Sequence, residues 1–431
     1  MQNDYKGQSL TLDDVYSYLN PTFPLKQEGS DQKYWDWFYV ERARDTLKTL
    51  VRAIRHNSLQ GNLCLLYSGH MGCGKSTELQ RVAHEPSLKK DFVVIHYSVK
   101  DELDPANVDF ADIIISIAAK LFIVASELDV KLSELSLREI REWKDAVIEH
   151  SDTLIGSLEV KTQANISAFF LQFLGILKGS KEQKESYTVK IKPRINQLIE
   201  IINKRLVLEI NAGLGKQALV ILDDLEKVSL EKARSIFKDH GHLLASLRCN
   251  VIYTFPIALE YGLERKLITS FFGDVIRLPN IKLRDKKGVL VPENQKLMKE
   301  MVYRRMKPEL IEEKALEKAL EYSGGMIREL FRILHKACDR ALNQDVEKIT
   351  EEHVNAAIAN LRNDYIYSLE EKHYPFLKRV YETKEVEGSQ EYVQLMDSLH
   401  ILKYANDEDW FDLNPMIRER VEEKFKILSL P

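Results

Sequence analysis

Four cysteines in 431 residues are too few and too scattered for a disulfide framework. Cys64, Cys73, Cys249 and Cys338 show no metal-ligand spacing either, which fits a reducing, cytoplasmic setting. Long apolar runs are also missing. The nearest, SAFFLQFLGIL from Ser167 to Leu177, falls short of the ~18–20 residues of a membrane helix. It reads instead as a buried helix, a strand pair or a partner-facing patch, and no membrane is expected. No charged-then-apolar leader pattern opens the chain. Neither sign of charge dominates: 62 Lys and Arg against 66 Asp and Glu leave a net of −4. With 44% apolar and 30% charged residues, the composition is that of a soluble globular chain long enough for roughly two or three domains.

What is present begins at LCLLYSGHMGCGKSTELQRVA, Leu63 to Ala83. An apolar run leads into a glycine-rich turn, and a helical pattern follows. Gly69, Gly74, Lys75 and Ser76 satisfy G-x-x-x-x-G-K-[ST], with Gly72 and Cys73 inside the loop and Thr77 behind it. Glycines are needed because consecutive backbone N–H groups must point inward at phosphate oxygens. The helix adds its N-terminal dipole and free amides. Lys75 brings a point charge for the β- and γ-phosphates, and the Ser76 hydroxyl suits Mg²⁺. ATP with Mg²⁺ is the expected cofactor pair. Cys73 reads as filler rather than as a redox switch.

A second apolar run, ALVILDDLEKV from Ala218 to Val228, ends in carboxylates, as a buried parallel strand with chemistry at its C-terminal end should. Asp223 is assigned to the metal. Asp224 is the preferred water-activating residue, with Glu226 the alternative. A third strand, NVIYTFP, ends near Thr254, which either contacts the γ-phosphate or the water, or caps the next turn. Arg265 and Lys266 either reach a neighbouring subunit's nucleotide or lie on a solvated helix face. Arg328 follows a break at SGG and sits in the first turn of a helix. A helix N-terminus does not favour a cation, so an external anion is its natural partner.

These pieces predict an α/β fold: a three-layer αβα parallel sheet of the P-loop NTPase kind, with a helical insertion, a helical lid and a C-terminal winged helix. The boundaries are an irregular arm at 1–38, an ATPase core at 39–281 with the insertion at about 130–208, a lid at 282–360 and a winged-helix-like segment at 361–431. The aromatic run YWDWFY, Tyr34 to Tyr39, is expected to pack the arm against the core. MVYRRMK is basic, and short clusters of that kind read as solvated faces. The segment 361–431 holds 10 Lys and Arg against 15 Asp and Glu, a net of −5, which does not favour DNA as its partner.

GHMGCGKST, VILDDLEK, the YTFP strand, SGGMIREL and ILKYANDEDWFDLNPMIRERV together resemble the AAA+-like P-loop ATPases, in particular the STAND signalling branch and the origin-recognition type. The resemblance implies a five-stranded parallel sheet and a lid whose GG-x-x-R arginine, Arg328 here, senses the γ-phosphate. It also implies a box near the adenine at FYVERARDTL, so that Tyr39 to Arg42 contact the base. The chain departs from the pattern in the long segment between its phosphate motifs and in lacking an assignable arginine finger. Its acidic pair also differs from the Asp-Glu of many active ATPases, which implies slow hydrolysis. Three functions follow. The first is a nucleotide-controlled switch acting through homo-oligomer assembly or a separately encoded effector, as in bacterial stress or anti-phage signalling by analogy. The second is a DNA-binding loader ATPase. The third is a scaffold that binds nucleotide without turnover.

Overall fold

The computed structural model describes residues 8–22, 25–27, 29–42, 44–60, 62–147, 162–179, 187–405 and 408–428. Five parallel strands form its central sheet: β1 Cys64–Gly69, β2 Phe92–Ser98, β3 Gln217–Asp223, β4 Asn250–Pro256 and β5 Val275–Arg277, in the order β2-β3-β4-β1-β5. The inner strands are near-continuous apolar runs because helices cover both faces. Leu219 to Leu222 and Val251 to Tyr253 are fully buried.

This order determines where chemistry collects. β1 lies between β4 and β5, and the register sets Ser98 beside Asp223 and Tyr67 beside Thr254. The C-terminal ends of β1, β2, β3 and β4 therefore share one rim, as expected for a parallel sheet that binds ligands there.

Between β2 and β3 the chain builds a helical layer. The helix Phe110–Glu127 begins at a capping box of Asp109 and Asp112 and is buried along most of its length. The helices Glu134–Val147 and Gln163–Lys178 follow; the second packs on it, and Trp143 of the first stacks against Phe170 of the second. SAFFLQFLGIL lies within the second of these: Phe169, Phe170 and Phe173 are fully buried, and the Phe170 ring stacks 5.0 Å from Phe122. Of the three readings of that patch, the buried helix is the one observed. The layer shares one hydrophobic core with the sheet.

After β5 come the helices Pro292–Tyr303, Glu313–Tyr322, Ile327–Asn343 and Glu351–Ile366. Two further helices, Tyr374–Thr383 and Gln390–Asp397, lead into an antiparallel hairpin of β6 Ile401–Ala405 and β7 Asp409–Leu413, and the helix Pro415–Leu428 follows.

The arm is not irregular, as the sequence suggested. It carries the helices Leu12–Tyr18 and Gln32–Phe38, the first capped by the Thr11 hydroxyl. Both are short, and tertiary packing rather than propensity holds them. Trp35 and Phe38 bury against Leu25, and the Trp35 ring stacks 4.3 Å from Tyr39. The Ser9 backbone bridges to Met306, so the arm is tied to the lid.

Candidate functional site

The loop after β1 needs left-handed backbone at two glycines, Gly72 (φ 84°) and Gly74 (φ 97°). Gly74 caps the helix Lys75–Ala83. Gly72 is required twice over, because a Cβ there would meet the Arg328 Cβ at 2.7 Å. The Arg328 amide donates to the Gly72 carbonyl at 3.1 Å, which seats the start of the lid helix directly on the phosphate loop. Among the described residues no hydrogen bond or ion pair engages the Arg328 guanidinium, which lines the same cavity as Lys75 and Ser76.

Lys75 is 3% exposed and its three donors are all committed. They reach the Gly69 carbonyl at 2.8 Å, the His70 carbonyl at 3.0 Å and Glu226 Oε1 at 3.1 Å. Burial works against its charge, but Glu226, followed by Cys73 and Asp223, holds its pKa above the usual lysine value. Asp223 is hydrogen-bonded by Ser76, and its pKa is pushed up to about 7 by burial and then by the charges of Glu226 and Asp224. Oxygen atoms of Asp223, Asp224 and Glu226 lie within 4.8 Å of one another. Glu226 Oε2 has no hydrogen-bond partner despite being buried. Crowded carboxylates with one orphaned oxygen beside a serine hydroxyl suit a hard divalent cation such as Mg²⁺, for which Ser76 and Asp223 are the fitting ligands.

The two candidate bases differ in where they point. Asp224 has a left-handed backbone (φ 69°) that breaks the strand's alternation. Its carboxylate accepts from Ser98 Oγ at 2.6 Å and pairs with Lys100 at 3.1 Å and with Lys227. Burial opposes its charge, but Lys227, Ser98 and Lys100 hold its pKa below the ordinary aspartate value. Asp224 is thus an anchor between β2 and β3. Glu226, 5% exposed, is the carboxylate that faces Lys75. Thr254 touches neither lysine. Its hydroxyl accepts from the Leu225 amide at 2.9 Å and so fixes the turn that carries Glu226.

Arg42 is buried under the loop, donating to the Cys73 carbonyl and, at 3.4 Å, to that of Pro279. It braces the phosphate loop while also bordering the cavity. Cys73 turns its side chain into the core, and Thr77 lines the cavity. Arg265 and Lys266 are exposed on the helix Arg265–Phe272 and do not border the cavity. The cavity, about 640 Å³, is lined by the loop, the arm and the lid, a size suited to a small molecule.

Sequence reasoning passed over His70. It is 1% exposed, and its Nε2 accepts the Lys403 amide of β6 at 2.7 Å. Burial first, then Lys75 and Lys403, lower its pKa to about 3. Around this bond the hairpin grips the lid: Tyr404 donates to the Gly324 carbonyl at 2.7 Å, and Met326 packs with Leu402 and Trp410. The pattern G-x-x-x-x-G-K-[ST] leaves position 70 open, so no signal in the sequence marks it.

No family model and no curated protein matches the chain. Among solved structures it is similar to the ORC1 protein of Aeropyrum pernix in complex with DNA (13% identity, 91% of this chain, 97% of that chain, TM-score 0.42). It is also similar to Cdc6p from Pyrobaculum aerophilum (12%, 90%, 98%, 0.40) and to a Walker-type ATPase of Pyrococcus abyssi (14%, 94%, 99%, 0.44). The predicted five-stranded parallel sheet is itself observed in the order β2-β3-β4-β1-β5.

His70 yields a pH prediction. Its folded pKa lies below the unfolded value of about 6.5, so at lower pH the unfolded chain takes up a proton that the folded chain refuses. Stability should fall as pH drops from about 6.5 toward 3, by up to about 1.4 kcal/mol per pH unit from this group. His70→Gln, which keeps an acceptor, should remove that slope. Denaturant titrations of both proteins between these limits check it, and parallel curves would contradict it.

Proposed function

We propose that the chain is a Mg²⁺-dependent ATPase acting as a nucleotide-controlled switch. The observation that carries this is the bond from Lys403 to His70, which connects the phosphate loop to the C-terminal hairpin. Lys75 has three donors, all engaged by Gly69, His70 and Glu226. A γ-phosphate that takes Lys75 has to displace some of these partners. Release of the His70 carbonyl changes the loop at the residue that holds the hairpin. Release of Glu226 frees a carboxylate to orient a water and accept its proton. Arg328, seated on Gly72 with its guanidinium uncommitted, would meet phosphate oxygens from the lid side. Mg²⁺ held by Ser76 and Asp223 would supply charge neutralisation of the phosphates.

For this to work as a switch, ATP must bind the hairpin-engaged and hairpin-released arrangements with different free energies. The released state would then assemble with further copies or engage a separately encoded effector, the STAND-like branch of the resemblance, with stress or anti-phage signalling as its setting. The DNA-associated alternative, by analogy with ORC1 of A. pernix, meets an acidic partner surface. The helix Gln390–Asp397, which would enter the groove in a winged-helix reader, carries Glu391 and Asp397 without a lysine or arginine and packs on Ile257–Tyr261. Arg265 and Lys266, being exposed, are available to a neighbouring subunit.

Glu226→Gln should lower ATP turnover by about 10²-fold or more with ATP still bound, the loss expected for a general base. Asp224→Asn should lower it less. The reverse order in a phosphate-release assay would contradict the assignment. Light scattering of Glu226→Gln with ATP should show a mass increase that is absent with ADP and in Lys75→Ala. An unchanged mass would sink the assembly form of the switch, and an increase that appears only with duplex DNA would favour the alternative.

A further inference from the structure

The end of the cavity formed by the arm and the lid contains a charge that the phosphate chemistry does not explain. Arg305 follows the lid helix Pro292–Tyr303 and is 6% exposed. Its guanidinium lies between two rings, 4.7 Å from the Phe38 centroid on the arm and 4.4 Å from that of Phe331 on the lid. One nitrogen, Nη1, donates to the Met301 carbonyl at 2.7 Å. Among the described residues no carboxylate pairs with it, and the one charge acting on it is the like charge of Arg304, which together with burial pushes its pKa down to about 9.

Buried charges are ordinarily paired, because desolvation is otherwise uncompensated. Two aromatic faces offset part of that loss, but among the described residues no protein acceptor meets the remaining N–H donors. A methionine or leucine would bridge Phe38 and Phe331 without that penalty, so a purely structural strut does not call for a guanidinium. The side chain borders the cavity together with Tyr18, Leu25, Phe38, Met301 and Phe331. Such a lining is too apolar for another phosphate. It suits a group with flat apolar faces and hydrogen-bond acceptors on its edge, which describes a nucleobase.

We propose that Arg305 is the base-recognition residue of this cavity, its open N–H edge donating to ring acceptors of the base while Phe38 and Phe331 fix its plane. This rests on the nucleotide-binding function proposed above and adds a contact that phosphate-loop chemistry does not supply. Because Phe38 belongs to the arm and Phe331 to the lid, base binding draws both segments onto one ligand. Base specificity is then set by a residue outside the phosphate motifs.

The test compares ATP with inorganic tripolyphosphate, which keeps the phosphates and lacks the base, by calorimetry on wild type and Arg305→Met. The variant should bind ATP about tenfold more weakly, the scale of one good guanidinium-to-base contact, and bind tripolyphosphate as wild type does. Equal weakening of both ligands would assign Arg305 to lid structure and overturn the proposal, as would no weakening of ATP. Should the variant fail to fold, wild type is titrated with ATP analogues in which N1, N3 or N7 is replaced by CH. Loss of about tenfold with at least one supports the contact, and undiminished binding of all three overturns it. Wild type that binds tripolyphosphate as tightly as ATP would overturn the base contact alone, whereas binding of neither ligand would overturn the nucleotide site with it.

Discussion

The arrangement of the molecule turns on a hydrogen bond of 2.7 Å between the Lys403 amide and His70 Nε2. One partner is the first of the phosphate loop's four open positions, and the other is the middle of β6. Both are buried, so the bond is made where water does not compete and where losing it leaves polar atoms stranded. The neutral imidazole is a condition of the bond, since a protonated ring could not accept the amide. Burial beside Lys75 and Lys403 secures that condition.

The rest of the site is built around the same loop. Arg42 braces it from below through the Cys73 carbonyl, and Arg328 closes it from the lid through the Gly72 carbonyl. Glu226 closes it from β3 through Lys75. Gly325 completes the enclosure: with φ at 76° and no room for a Cβ against the Ile281 carbonyl, it admits no other residue without a shift of the lid. A ligand that reorders the loop therefore acts on three neighbouring segments at once. This is the physical basis of the proposed coupling between phosphate binding and the position of the hairpin.

The parts of this arrangement that follow one another along the chain were legible in the sequence. Gly69 to Thr77 declare themselves by spacing, and β3 and β4 by uninterrupted apolar runs ending in Asp223 and near Thr254. The start of the helix Ile327–Asn343 at Arg328 showed through the glycines before it. The parts made by distant residues were not legible. The sequence prefers Asp224 over Glu226 as the base, and it does not show that Ser98 and Lys100 at the end of β2 and a left-handed turn at Asp224 hold that carboxylate away from Lys75 while Glu226 faces it. MVYRRMK has the look of a solvated face, yet Arg305 within it is enclosed by rings from Phe38 and Phe331, which lie 267 residues before it and 26 after it in the numbering. The arm helices were missed because each is 7 residues long and is held by packing, Leu12–Tyr18 on the lid helix Ile327–Asn343 and Gln32–Phe38 around Leu25.

The central claim is that occupancy of the phosphate loop is felt at β6. Amide hydrogen exchange of the segment Ile401–Ala405, with and without a slowly hydrolysed ATP analogue, tests it most directly, because the Lys403 amide is itself the donor to His70. The account predicts that exchange across this strand accelerates when the analogue binds and returns to its starting rate in Lys75→Ala. Protection of β6 that is unchanged by the analogue, at concentrations where the loop itself becomes protected, would contradict it.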